Sequence, residues 1–304
     1  MIGQSPAMSL RDFGLLVFVC VVWASSNVVG KLLISGLGAP PLFVAAARFA
    51  VVSLATLPWL FPAPDKLWRL IAVGLLMGAG AFGLLFIGLK TSTPSGAAIV
   101  AQLGAPMTTL LSVWFLGERI HWRRGLGIAL TIAGVLIVMW KPGGFTPTFG
   151  LLMVAASALA GSFGAVLLKS MEGVRPLQFQ AWVGFASLWP MAAGSALFEH
   201  GQWAVLHATP WGFLAGVLYT GLIVSVVGHT AYYGLIQRYE ANLLQPLTLM
   251  TPLGSVAMGI AITHDTFDAR LIVGSVIALA GVLVIALRPN HVMPLLLAMR
   301  SRAP

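Results

Sequence analysis

Charge is what this sequence lacks most. Asp, Glu, Lys and Arg make up 8% of its 304 residues, against 59% hydrophobic residues. A soluble domain carries about 25% charged residues because its surface must face water. This chain has too few to cover itself that way, and its mean hydropathy is +0.94, so its solvent is lipid. The sequence also lacks the alternation of apolar and polar residues that a membrane β-barrel strand needs; residues 125–140, for example, are apolar on every helical face. Helices remain as the structure that satisfies every backbone polar group in lipid. One cysteine, Cys20, excludes an intrachain disulfide and says nothing of redox compartment.

Catalytic patterns are missing too. There is no His-Glu-x-x-His, Gly-x-Ser-x-Gly or Gly-x-x-x-x-Gly-Lys-Ser/Thr motif, which argues against a membrane enzyme and against ATP hydrolysis by this chain. No cofactor or metal is expected. The eight acids, Asp12, Asp65, Glu118, Glu172, Glu199, Glu240, Asp265 and Asp268, all map to loops or helix ends. Ionisable groups at membrane depth are costly and mark function, so their absence argues against a proton relay through a mid-membrane carboxylate.

What is present is a series of apolar segments at about 13–34, 42–61, 70–89, 95–115, 125–140, 149–169, 178–198, 211–236, 243–263 and 270–287. A span of the ~30 Å hydrocarbon core needs roughly 20 apolar residues, so ten spans are expected. The breaks carry Gly, Pro and charge, as in Gly36-Leu37-Gly38-Ala39-Pro40-Pro41 and Lys90-Thr91-Ser92-Thr93-Pro94. The first segment begins like a signal peptide behind Arg11, but its apolar run continues past Trp23 to Ile34, so an uncleaved helix is expected.

The net charge of +9 reports topology rather than nucleic-acid binding, because the cations are scattered one to three per loop. With the N-terminus cytoplasmic, twelve Lys and Arg fall inside (Arg11, Lys66, Arg69, Arg119, Arg123, Arg124, Lys169, Arg175, Arg238, Arg288, Arg300, Arg302). Four fall outside (Lys31, Lys90, Lys141, Arg270), and Arg48 is left within the second helix. The imbalance places both termini in the cytoplasm.

The halves also resemble each other. Phe13-Gly14-Leu15-Leu16 recurs as Phe149-Gly150-Leu151-Leu152, Pro40 as Pro176, and Ala133-Gly134-Val135-Leu136 as Ala280-Gly281-Val282-Leu283. Pro106 and Pro252 match at nearly the later offset. The expected organisation is a first five-helix repeat over 1–145, a second over 146–290 and a short cytoplasmic tail over 291–304. Five is odd, so the second repeat must insert upside down. Inverted repeats give a transporter two ways to pack, with the site near the midplane.

Ser95-Gly96-Ala97-Ala98 with Pro106, then Leu116-Gly117-Glu118-Arg119, Gly127 and Gly134-Val135-Leu136 carry a family resemblance, as do Trp23-Ala24-Ser25-Ser26-Asn27 with Lys31 and Ala47-Arg48-Phe49. The chain resembles the drug/metabolite transporter superfamily, in its ten-helix branch with two EamA-type repeats, over roughly residues 10–288. The second half departs from the pattern, with Thr263-His264-Asp265 where the first has Gly117-Glu118. The resemblance implies an all-α bacterial inner-membrane exporter of amino acids or related metabolites, closest in character to the aromatic amino-acid exporters. It also separates the chain from small multidrug-resistance proteins, which depend on a first-helix Glu.

The expected substrate-site residues are Trp23, Ser25, Ser26, Asn27, Arg48, Gln102, Trp182, His229, Tyr232, Thr248 and Thr251. Arg48 would attract a substrate carboxylate or close the outer gate, against a bland role of snorkelling to the interface. The amide and hydroxyl side chains could hold a zwitterion without burying a charge, or only tie helices together. His229 could carry a coupling proton or be a packing residue. Trp23, Trp182 and Trp189, deep in their helices, would line a cavity. Trp59, Trp68, Trp122, Trp140, Trp203 and Trp211 would form the interfacial belt. Pro106, Pro252 and Lys31 are the hinge or gate candidates, and Glu118 reads as orienting a loop. The expected function is export by alternating access, as facilitated diffusion. Proton antiport of the same solutes, sugar-phosphate or nucleotide-sugar transport, a membrane enzyme and a receptor-like scaffold stand as alternatives. Short loops leave little surface for soluble partners, so the partners expected are the solute and the bilayer, with the chain monomeric.

Overall fold

The structure, a computed structural model, describes residues 8–64, 67–117, 120, 122–140, 148–169, 171, 174–239, 244, 246–266 and 268–286. Every regular element among the described residues is helical. Helix α1 spans Leu10–Lys31 and runs on as a π-turn over Leu32–Gly36. Helix α2 spans Pro41–Ala55. Helices α3 (Leu67–Gly74) and α4 (Ala81–Thr91) are joined by a π-helical stretch, Leu75–Gly80. Helices α5 (Pro94–Val100) and α6 (Gly104–Leu116) are joined by a 3₁₀ turn, Ala101–Leu103. Then come α7 (Trp122–Met139), α8 (Phe149–Lys169), α9 (Pro176–Phe198) and the short α10 (Gln202–Ala208). Helices α11 (Pro210–Leu218) and α12 (Thr230–Arg238) flank a longer π-helical stretch, Tyr219–His229. Helices α13 (Met250–Thr263) and α14 (Ala269–Ala286) complete the bundle.

The ends follow from local chemistry. Pro41, Pro94, Pro176 and Pro210 each open a helix, where the missing N–H is not needed. Ser9 caps α1 by accepting from the Asp12 N–H at 3.1 Å, and Thr93 caps α5 by accepting from Gly96 at 3.1 Å. Asp268 caps α14 by accepting from the Leu271 N–H at 2.9 Å. That bond, with the Arg270 guanidinium beside it, holds the Asp268 carboxyl below the usual carboxylate range. Gly117 ends α6 and His264 ends α13, both in the left-handed region, at φ 67° and 54°. His264 is a non-glycine residue there, an uncommon placement.

Among the described residues eight helical stretches are long and apolar enough to cross a membrane, while α2 and α13 are apolar but shorter. Helix α2 stops at Thr56, whose hydroxyl donates to the Val52 carbonyl at 2.7 Å before a 3₁₀ turn over Leu57–Leu60. Helix α10 lies where the sequence reads as loop. The belt tryptophans Trp68, Trp122, Trp203 and Trp211 all face outward. Trp189 corrects an expectation: it is 60% exposed on the outside of α9 rather than turned inward. Glu118 lies outside the described residues.

Helices meet through small residues, as they must where lipid supplies no hydrophobic drive for association. The tightest pair is α7 against α14. A Cβ on Gly127 would stand 2.8 Å from the Gly281 carbonyl, and one on Gly274 would stand 2.7 Å from the Gly134 carbonyl. Gly134 and Gly281 are equally close to the Ala278 and Thr131 backbones. Elsewhere Gly88 of α4 abuts Gly150 of α8, and Gly254 of α13 abuts Ala24 of α1.

Gly134→Leu should therefore lower the thermal midpoint of the detergent-purified protein by an amount equivalent to at least about 1–3 kcal/mol, the cost of overpacking. Gly125→Ala on the same helix, where an added Cβ meets nothing within 4 Å, should leave it unchanged or raise it. Equal midpoints for the two variants, read by size-exclusion recovery after heating, would show that the α7–α14 approach is not tight.

Candidate functional site

Arg48 organises the interior. It lies in the middle of α2 with none of its surface exposed. Its Nε donates to Ser225 Oγ at 2.9 Å, and Ser225 donates in turn to the Thr220 carbonyl at 2.9 Å. Both Ser225 and that carbonyl belong to the π-helical stretch between α11 and α12. Widening a helix by one residue per turn frees and re-aims its polar groups, and such bulges concentrate at functional sites. The guanidinium carbon sits 4.2 Å from the centre of the Phe82 ring and 5.8 Å from that of Phe86. Its two terminal nitrogens have no hydrogen-bond partner among the described residues.

A buried charge without a partner is expensive. It persists where the fold overrides the cost, as at a site kept for a ligand. Beside Arg48 lies a small cavity of about 40 Å³ lined by Phe49, Met77, Phe82, Phe179, Gln180, Val183, Ser225, His229 and Tyr233. Four helical stretches bring these residues together: α2, the π-bulged joint of α3 and α4, α9, and the joint of α11 and α12. No acid is among them.

His229 ends the second π-helical stretch. Its Nδ1 lies 3.0 Å from the Val224 carbonyl, five residues back. A carbonyl only accepts, so Nδ1 is the protonated nitrogen. The ring sits in an aromatic box, 5.1 Å from Trp23, 6.3 Å from Phe82 and 6.4 Å from Tyr233 between centres. Trp23 also meets Tyr232 edge-on at 4.8 Å. The sequence candidates Trp23, Arg48, His229 and Tyr232 thus share one region.

The other candidates fall elsewhere. Ser25 donates to Val22 at 2.8 Å and shares a 2.6 Å hydrogen bond with the Tyr219 hydroxyl. Asn27 donates to Ser255 at 3.3 Å, and Ser255 donates to the Ala24 carbonyl at 3.0 Å. Both residues tie α1 to a neighbouring helix, and Ser26 is buried beside them. Trp182 is buried on α9 with its Nε1 unpartnered among the described residues, against Phe185. Gln102 bonds back to the Ala98 carbonyl at 3.3 Å on the 3₁₀ turn. Pro106 is the third residue of α6 and Pro252 the third of α13, so each follows a break where the helix restarts. Thr248 and Thr251 mark the second break, the Thr251 N–H donating to the Thr248 carbonyl at 2.9 Å.

One end of the bundle is held by charged side chains on helix termini. Lys31 donates to the Leu89 and Lys90 carbonyls at the end of α4, at 2.9 and 3.4 Å. Glu199 accepts from the Leu42 and Phe43 N–H groups at the start of α2, at 2.8 and 2.9 Å. Asp265, 8% exposed, accepts from the Ser95 N–H at 2.9 Å at the start of α5. At the other end, Asp12 pairs with Arg238 and accepts from the Tyr239 hydroxyl at 2.7 Å.

Two stretches of the chain, residues 13–140 and 148–287, match the model of the EamA-like transporter family. The chain belongs to that family. It is a multi-pass membrane transporter of small molecules and not an enzyme. A protein of Salmonella typhimurium named "Probable amino-acid metabolite efflux pump" is 27% identical over 283 residues, covering 90% of this chain and 94% of the relative. One of Streptantibioticus cattleyicolor named "Probable terminal-alkyne amino-acid exporter" is 25% identical over 279 residues, covering 89% and 91%. A crystal structure shares the fold with a TM-score of 0.64 at 21% identity, covering 97% of this chain and all of the other.

The sequence missed Phe82, Gln180 and Ser225. Ser225, one turn before His229 in an apolar helix, and Gln180, which with Gln178 puts two amides in the first turns of α9, carried a faint polar signal; Phe82 carried none.

If Arg48 is kept for a ligand, the transporter should not need it to fold. Arg48→Met should leave the thermal midpoint of the purified protein unchanged or higher, because replacing an unpaired buried charge by an apolar group of similar length is neutral or stabilising. A clear drop would make Arg48 a structural residue.

Proposed function

We propose that this EamA-like transporter exports amino acids or closely related zwitterionic metabolites across the inner membrane by alternating access, with Arg48 anchoring the substrate carboxylate. The observation that carries the reading is the fully buried guanidinium, held through Nε by Ser225 and lying over Phe82, two residues that line the cavity, with both terminal nitrogens unpartnered among the described residues. A guanidinium offers two parallel donors to a carboxylate, and binding there would neutralise the charge. A single cation suits one carboxylate. Sugar phosphates and nucleotide-sugars carry more negative charge and would need further basic groups, yet Lys31 is engaged at a helix end. The relatives named for amino-acid efflux and export support the same substrate class.

Alternating access rests on a ten-span reading in which the second repeat, residues 146–290, is inverted on the first, 1–145, with both termini cytoplasmic. Several pairings support it. Gly127 and Gly134 correspond to Gly274 and Gly281, and the two contacts between α7 and α14 exchange under that correspondence. The π-helical stretches 75–80 and 219–229 fall at matching places, as do the restarts at Pro106 and Pro252. Paired interruptions in the two halves point to the site and its hinges. The outer gate would then comprise the Lys31, Glu199 and Asp265 contacts. With no acid in the cavity, the solute runs down its own gradient as facilitated diffusion, and His229 carries no coupling proton.

Proteoliposomes test this with labelled L-leucine and L-phenylalanine. We expect saturable uptake that a pH gradient does not change and that falls at least tenfold in Arg48→Gln. No flux of either amino acid would overturn the exporter reading, and acceleration by a pH gradient would replace facilitated diffusion by proton coupling.

A further inference from the structure

The Arg48 site accounts for only half of a zwitterion. An α-amino acid brings an ammonium next to its carboxylate, and a buried ammonium must be paired or hydrogen-bonded. No carboxylate lines the cavity. No residue of α1 is among those that line the cavity, and its polar lining residues, Gln180, Ser225, His229 and Tyr233, all belong to the second half of the chain. An acceptor has to come from the second half of the chain.

His229 supplies one. Its Nδ1 is committed to the Val224 carbonyl at 3.0 Å, so in the neutral ring Nε2 is an acceptor. Among the described residues the ring's hydrogen-bond partners are backbone groups of its own helix, at Val224 and Ser225, and the ring lines the cavity. The bond to a carbonyl five residues back exists because the stretch 219–229 is π-helical, so the widened helix fixes which nitrogen faces inward. Around the ring stand Trp23, Phe82 and Tyr233, with Tyr232 against Trp23. Aromatic faces attract an ammonium through their quadrupole, Trp most strongly. Phe82 stands between the two ends: Arg48 lies over its ring, and His229 meets its edge. Ser225, which orients Arg48, precedes His229 by one turn of the same helix.

The geometry points to His229 as the acceptor for the substrate ammonium, so that the site reads both charges of an α-amino acid, the carboxylate at Arg48 and the ammonium at His229 Nε2 within the Trp23–Tyr232–Tyr233 box. This rests on the exporter reading above and narrows it: the site rejects solutes that lack either charge. A deaminated acid leaves the His229 end without its donor, and a decarboxylated amine meets the Arg48 cation with no anion between them. Of the remaining neutral acceptors on the wall, Ser225 is engaged with Arg48 and the Tyr233 hydroxyl sits on an aromatic ring, so the Gln180 amide is the main competitor for this role.

Three ligands of one side chain test it: L-leucine, 4-methylpentanoate without the ammonium, and 3-methylbutylamine without the carboxylate. Binding is read as the rise in thermal midpoint of purified protein, which does not require turnover, and as competition against labelled leucine in proteoliposomes. The wild type should bind leucine at least tenfold more tightly than either analogue. His229→Asn keeps a donor near the Val224 carbonyl but removes the acceptor at the Nε2 position; it should bring leucine and 4-methylpentanoate within about twofold while still rejecting the amine. His229→Gln, which restores a polar atom near the Nε2 position, should recover part of the preference, and Gln180→Met should retain it in full. Equal binding of leucine and 4-methylpentanoate by the wild type would overturn the assignment, as would full discrimination in His229→Asn or its loss in Gln180→Met. If leucine neither binds nor competes, the exporter reading itself fails, an outcome distinct from those three.

Discussion

In hydrocarbon no water is available for a backbone N–H or C=O, so irregular backbone is tolerated only where protein surrounds it or a cavity receives it. That constraint shapes where this bundle can depart from plain α-helix. The departures among the described residues are the π-helical stretches 32–36, 75–80 and 219–229, the 3₁₀ turns 57–60 and 101–103 and the restart at 250. Some of their polar groups are taken up by nearby side chains. Ser187 donates to the Gly74 carbonyl at 3.1 Å and accepts from the Ala79 N–H at 3.0 Å, spanning the stretch 75–80. Ser225 and His229 take up carbonyls of the stretch 219–229. The breaks in the helices and the polar interior are therefore one feature seen from two sides.

Arg48 depends on the same economy of groups. Its Nε is satisfied by a serine that the second π-helical stretch turns inward, and its charge is softened only by the Phe82 and Phe86 ring faces. Cation–π contact is worth on the order of 0.5–2 kcal/mol, well short of the several kcal/mol that desolvating an ion costs. The deficit is what an anionic group of the solute would remove on binding. Sites commonly hold such uncompensated groups at the expense of stability. The small cavity beside Arg48 implies that a solute enters by moving walls, and the helix-end contacts of Lys31, Glu199, Asp265 and Asp12 are short polar clasps that rigid helices could exchange in doing so.

Much of the architecture was legible. The apolar segments carry helix among the described residues, eight stretches of it long enough to cross a membrane, and the belt tryptophans face outward. The lone cation in the second segment is fully buried. Trp189 shows where the reading broke down. In a helix apolar on every side, depth along the axis can be read from position, but the face turned inward cannot, since lipid and protein interior select the same residues. Trp182 and Trp189 stand seven residues apart in α9, yet one is buried and the other faces out.

The sequence by itself determined that the chain lives in lipid, that it is helical, where its segments lie and which few polar residues they carry, because composition and run length decide solvent and span directly. It also exposed the glycines and prolines that recur between the halves. Only the tertiary structure decided which polar residues meet. Asn27 and Ser25 lie in hydrogen bonds between α1 and its neighbours, while Ser225 and Phe82 came forward because a π-helical turn and packing against α2 brought them to Arg48, and Gln180 because α9 turns it into the same cavity wall. A π-bulge has no sequence signature strong enough to read in an apolar helix, and it turns the face of every residue beyond it by about 100°, one residue's step, so the partners of a buried group are settled only once the helices have packed.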